Sequence, residues 1–68
     1  MSKLTLRMLR AKDNLNQRQA AELVGVTKDT WGNWERGNTT PKMEMAYHIA
    51  EVFNVKMDDI IFLTNNAV

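Results

Sequence analysis

From Asn16 to Trp34 the chain reads NQRQAAELVGVTKDTWGNW, two short stretches of helical apolar spacing separated by a three-residue turn centred on Gly25. Counting from Gln17, small residues stand fourth and fifth (Ala20, Ala21), glycine ninth, and apolar residues eighth, tenth, fifteenth and eighteenth (Val24, Val26, Trp31, Trp34). Two helices packed at a steep angle need a side chain as small as Ala21 where their backbones approach. They also need a residue free to take φ > 0 where the first helix stops, and Gly25 supplies it. Trp31 and Trp34, three apart, give the second helix an apolar face to hold against the rest of the domain. Their spacing reads as core packing rather than base stacking.

This is helix-turn-helix spacing, about residues 17–36, and it points to DNA: the second helix of such a unit lies in the major groove with its outward residues against base edges. With both tryptophans inward, the outward set is Lys28, Asp29, Gly32, Asn33 and Arg36. Lys28 can donate to guanine O6 and N7, and Asn33 can bridge adenine N6 and N7. The plain alternative for both is solvated surface. Asp29 either complements the helix dipole or accepts from cytosine N4. Gly32 costs about 1 kcal/mol relative to Ala inside a helix, so it marks either close approach to DNA or a neutral choice.

The flanking sequence supplies the remaining helices. A first helix is predicted from about Lys3 to Asp13, with Leu6 and Leu9 inward, Lys3, Arg7 and Arg10 sharing another face, and Asn14 ending it. Asn16 is placed to cap the second helix reciprocally with Gln19, and Ala20, Leu23 and Val24 are its inward residues. Thr27 caps the third helix, which stops at Gly37. Thr40 and Pro41 are expected to open a fourth, with Met43, Ala46, Ile49, Ala50 and Phe53 inward. A short fifth helix is expected from about Met57 to Phe62, with Asp58 and Asp59 at its positive end and Lys56 where a capping residue would stand. No strand pattern is visible, and the tail 64–68 is expected to fray. The prediction is a single all-α domain over residues 1–68, a compact five-helix bundle.

The outer segments complete a resemblance. Leu6-Arg7-Met8-Leu9-Arg10 and Leu15-Asn16-Gln17 upstream, Trp34-Glu35-Arg36-Gly37 with Pro41, and Ile49-Ala50-Glu51-Val52-Phe53-Asn54-Val55 with Asp58-Asp59-Ile60-Ile61 downstream resemble the small phage-repressor and Cro family, the Xre-type helix-turn-helix. The match covers roughly residues 4–63, five pieces in the right order. It implies a lambda-repressor-like fold and a sequence-specific regulator that binds double-stranded DNA, a small phage- or prophage-type repressor. The alternative is an antitoxin or other protein-interaction module that binds DNA secondarily. The resemblance assigns Gln17 a phosphate contact, at a helix N-terminus that already favours an anion. Asn16, Arg10, Arg18, Arg36, Asn38, Thr39 and Lys42 are further phosphate candidates, Lys42 near the minor groove. Arg10 and Glu35 are implied to form a structural ion pair; two independent surface charges are the alternative. Ile60, Ile61, Phe62 and Leu63 form an apolar cluster too large for one short helix to bury, which suggests homodimerisation and an inverted-repeat operator.

Charge agrees with this orientation although the net value is only +1. Residues 1–42 hold eight Lys or Arg against four acids, whereas residues 43–68 hold one Lys against four acids. A phosphate-facing surface needs local positive potential, not a positive total. There is no cysteine and no apolar run near the ~20 residues that span a membrane, so a cytoplasmic protein without disulfides is expected. The single His48 shares a helix face with acids and reads as surface, and adjacent Asp58 and Asp59 point apart on a helix. No enzyme, metal, cofactor or small-molecule ligand is expected.

Overall fold

The Thr5 hydroxyl accepts the Met8 backbone N–H at 3.2 Å while Met8 Sδ accepts the Thr5 N–H at 3.4 Å. This reciprocal cap starts α1 (Leu6–Lys12) later than the sequence suggests. In the computed structural model, which describes residues 3–63, Leu4–Thr5 (β1) are extended and pair in parallel with Ile60–Ile61 (β2), Leu4 opposite Ile60. Lys3 therefore precedes the strand and does not share a helix face with Arg7 and Arg10. The tail 64–68, expected to fray, lies outside the described residues.

Between these strands run α2 (Gln17–Val24), α3 (Lys28–Arg36), α4 (Met43–Val52) and a 3-10 turn at Met57–Asp59. The expected fifth helix is thus absent among the described residues. Neither Lys56 nor any other side chain caps the turn, and the β-branched pair Ile60-Ile61 that follows favours the extended ladder with β1. Among the described residues the fold is all-α in character, four helices with a two-residue parallel ladder joining Leu4–Thr5 to Ile60–Ile61.

Trp31 is the centre of the core, fully buried with Leu9 and Ile49. Its ring lies 5.9 Å from that of Trp34 and 6.0 Å from that of Phe53, both tilted, a favourable arrangement for aromatic quadrupoles. Leu6, Ala20, Ala21, Val24, Ala50 and Ile60 close around it. Two expected core residues lie outside. Leu23 is 52% exposed because Ala20, Ala21 and Val24 define the buried face of α2 and Leu23 falls on its flank. Met43 is 64% exposed because α4 begins there, with Lys42 at the N-cap and Thr40 and Pro41 in the preceding loop.

Candidate nucleic-acid interface

The turn between α2 and α3 is fixed at each end by local chemistry. Asn16 Oδ1 accepts the Gln19 N–H at 2.8 Å and Gln19 Oε1 accepts the Asn16 N–H at 2.9 Å, the reciprocal cap expected of this spacing. Gly25 ends α2 at φ 83°, which lets the Val26 N–H reach back to the Ala21 carbonyl at 2.9 Å. Thr27 Oγ1 then accepts the Thr30 N–H at 3.1 Å and opens α3. Gly37, at φ 78°, closes it. Every stop signal used is one the chain shows in sequence.

Glu35 joins three helices. Its side chain is 6% exposed and accepts Arg10 Nε at 2.5 Å and Nη2 at 3.1 Å, Gln17 Nε2 at 3.0 Å, and Trp31 Nε1 at 2.5 Å. Arg10 Nη1 also donates to the Leu15 carbonyl at 3.2 Å, so the guanidinium ties α1 to the approach of α2 as well. Burial alone would raise the Glu35 pKa. The hydrogen bonds from Arg10, Gln17 and Trp31 and the Arg10 charge outweigh it and hold the carboxyl below its ordinary value. The same hydrogen bond and charge raise the Arg10 pKa against the opposing effect of burial. The ion pair implied by the resemblance is thus present, and the Trp31 indole and Gln17 amide join it. The i, i+4 spacing of Trp31 and Glu35 was the available signal for the indole bond.

Lys28 and Asp29, in the first turn of α3, are exposed, and so is Arg36 in the last; Asn33 is half-buried on the same face. Gly32 departs from the expectation that it lies open toward DNA. It is buried beneath the Arg36 guanidinium and the Gln17 amide: a Cβ there would sit 3.2 Å from Arg36 Nη1 and 3.7 Å from Gln17 Oε1. The absence of a side chain at 32 makes room for Arg36 to lie along its own helix.

Arg36 in that position donates through Nη2 to Asn33 Oδ1 at 2.8 Å, and Asn38 Nδ2 donates to the same oxygen at 3.3 Å. Reading each residue separately missed this network, although the i, i+3 spacing of Asn33 and Arg36 permits it. Of the phosphate candidates, Asn16, Arg18, Arg36, Asn38, Thr39 and Lys42 are exposed. Asn16 spends its oxygen on the cap, Gln17 gives a donor to Glu35, and Arg10, 18% exposed, gives most of its fork to Glu35 and Leu15. Among the described residues, no group of three or more His, Cys, Asp or Glu could hold a metal ion. No described helix is long and apolar enough to cross a membrane.

A helix-turn-helix family profile matches residues 6–60, from the start of α1 to the first residue of β2. The chain belongs to the Xre-type helix-turn-helix family. It is 42% identical over 55 residues to an uncharacterized HTH-type transcriptional regulator of Archaeoglobus fulgidus, covering 81% of this chain and 78% of the relative. It is 36% identical over 55 residues to the uncharacterized HTH-type transcriptional regulator YgzD of Bacillus subtilis, covering 81% of this chain and 83% of that one. It is also 32% identical over 56 residues to the cryptic phage CTXphi transcriptional repressor RstR of Vibrio cholerae, covering 82% of this chain and 50% of the relative. In this Xre-type domain α2 and α3 are the helix-turn-helix, and the protein is a DNA-binding transcriptional regulator.

Proposed function

We propose that this regulator is a small cytoplasmic repressor that binds an inverted-repeat operator in double-stranded DNA as a homodimer, without catalysis or a cofactor. The observation that carries the reading is the outward face of α3, where Lys28, Asp29, Asn33 and Arg36 stand together on a helix whose opposite side is locked into the core by Trp31, Trp34 and Glu35. A recognition helix must present polar groups at fixed positions, and a buried indole and carboxylate supply the rigidity. Repression is the activity named for the RstR relative.

In this reading Lys28, Asp29 and Asn33 meet base edges. Gly32 contributes by giving Arg36 space rather than by touching a base. Arg18, Arg36, Asn38, Thr39 and Lys42 meet phosphates, with the remaining amide N–H groups of Asn16 and Gln17 at the N-terminus of α2, where the helix dipole also favours an anion. Arg10 serves mainly as the partner of Glu35. The operator contacts double by two-fold symmetry, with half-sites about one helical turn, ~34 Å, apart.

Selection of bound duplexes from a random pool, followed by titration of the selected duplex at 50–200 mM salt, tests this. The expected result is an inverted-repeat sequence whose affinity falls steeply with salt, as phosphate neutralisation requires. Arg18→Ala then weakens all duplexes alike, whereas Asn33→Ala chiefly erodes discrimination at one base pair, about 1–3 kcal/mol. Binding without any sequence preference would overturn the reading.

A further inference from the structure

Asn33 has one acceptor oxygen, and the structure shows it already occupied. Oδ1 takes the Arg36 Nη2 donor at 2.8 Å and the Asn38 Nδ2 donor at 3.3 Å, which fills both of its lone-pair directions. With Oδ1 so held, the Asn33 amide has only its Nδ2 group left to offer, a pure donor. Gly32 makes this arrangement possible, because the Arg36 guanidinium rests where a Cβ would stand, 3.2 Å from Nη1.

Bidentate pairing of asparagine with adenine needs the side chain to accept from N6 and donate to N7. A donor-only amide cannot do the first. Facing adenine, it would leave the exocyclic N6 donor against an oxygen that two other donors already hold, with no acceptor to receive it. Guanine offers the opposite pattern, two acceptors at N7 and O6 side by side, and an N–H of Nδ2 can donate to either. Cytosine presents a donor at N4 and is disfavoured for the same reason as adenine. Thymine offers O4 alone.

Resting on the DNA-binding reading above, we propose that Asn33 recognises guanine rather than adenine in the major groove, and that Arg36 and Asn38 are the positioning residues that impose this choice by occupying the asparagine oxygen. Sequence preference at this base pair is accordingly set by a network on the protein rather than by the identity of one side chain.

Selection from a random duplex pool is carried out with wild type, Asn33→Ala and the double variant Arg36→Ala/Asn38→Ala, and affinities are compared between duplexes differing at one base pair. The position whose preference disappears in Asn33→Ala is the one Asn33 reads. A phosphate interaction removed with the Arg36 side chain weakens both duplexes equally and cancels in the ratio of their affinities, so a merely electrostatic role does not move it. Wild type is expected to favour guanine there by about tenfold or more, and the double variant, its Asn33 oxygen released, to shift toward adenine by a similar factor. Adenine selected by wild type at that position, guanine retained by the double variant, or no position affected by Asn33→Ala would each overturn the proposal while leaving DNA binding intact. Failure of wild type to select any sequence would instead overturn the DNA-binding reading itself. All three residues lie at or near the surface, and thermal melts of the variants by circular dichroism verify that each is folded when measured.

Discussion

The indole N–H of Trp31 donates to Glu35 Oε2, one turn further along α3, at 2.5 Å. The carboxylate thus serves two purposes. It receives Arg10 from α1 and Gln17 from α2, and it satisfies the single polar atom of the most deeply buried aromatic ring in the domain. A buried indole without an acceptor costs free energy, and so does a buried carboxylate without donors. Each removes the penalty of the other, and recognition helix and core become one unit.

Trp31→Phe is the cleanest separation of these effects, since it keeps an aromatic ring and deletes the donor. The substitution loses a hydrogen bond to a charged group and part of the ring volume, for an expected destabilisation of about 2–4 kcal/mol. Urea denaturation followed by circular dichroism measures it. A loss under ~0.5 kcal/mol would show that the indole bond is dispensable.

The pH dependence follows from the same carboxylate. Glu35 titrates below its ordinary value of 4.5 in the folded state, so the unfolded chain binds its proton first as pH falls. The stabilisation is fully present above the unfolded value and is lost progressively as pH drops from there through the lowered folded value. Arg10, shifted upward, stays charged throughout that range. Thermal melts between pH 6 and pH 3 are expected to show a fall in midpoint that is shallower in Glu35→Gln. That variant is less stable at neutral pH because it leaves Arg10 without its countercharge, at a cost at or below the lower end of the ~3–5 kcal/mol for breaking a buried pair. Parallel acid limbs for the two proteins would contradict this assignment.

Most of the helical frame was legible because it rests on local signals: Asn16 and Thr27 as caps, Gly25 and Gly37 as left-handed stops, Asn14 at φ 59°. The ends of the domain were not. The pairing of Leu4 with Ile60 joins positions far apart in sequence, and two-residue strands are too short to show alternation. Apolar spacing also mistook Leu23 and Met43 for core, since periodicity locates a face only to within the width of a flank. At the interface, residue types indicated which side chains face outward. They did not reveal that Asn33 and Arg36 act together, because a hydrogen bond between surface side chains depends on rotamers, and here on the space left by Gly32.

Gly32→Ala exposes that dependence. Alanine is favoured over glycine in a helix interior by about 1 kcal/mol, and the obstructing atoms belong to the end of a flexible arginine, which can swing away. The variant is therefore expected to be as stable as wild type or up to ~1 kcal/mol more so, with altered sequence preference in DNA binding. Denaturation and binding measured on one preparation separate the two effects. Increased stability with unchanged preference would mean that Arg36 does not need its resting place.

Self-association is tested at residues the monomer does not itself use. Ile60 is 7% exposed in the monomer core and Phe62 packs against that core, so substitution of either would disturb the fold along with any dimer. Ile61 and Leu63, 39% and 44% exposed, are the members of the apolar cluster left for a second copy. They lie in and just after β2, which pairs with β1. Burying a side chain such as leucine from water contributes about 1.5–3 kcal/mol, and two-fold symmetry counts each one twice. Ile61→Lys with Leu63→Glu should therefore leave the melting temperature of the monomer nearly unchanged, yield monomers in sedimentation equilibrium under conditions where wild type is expected to dimerise, and abolish the expected advantage of an inverted repeat over an isolated half-site. A dimer that survives both substitutions would place the two-fold contact elsewhere on the domain.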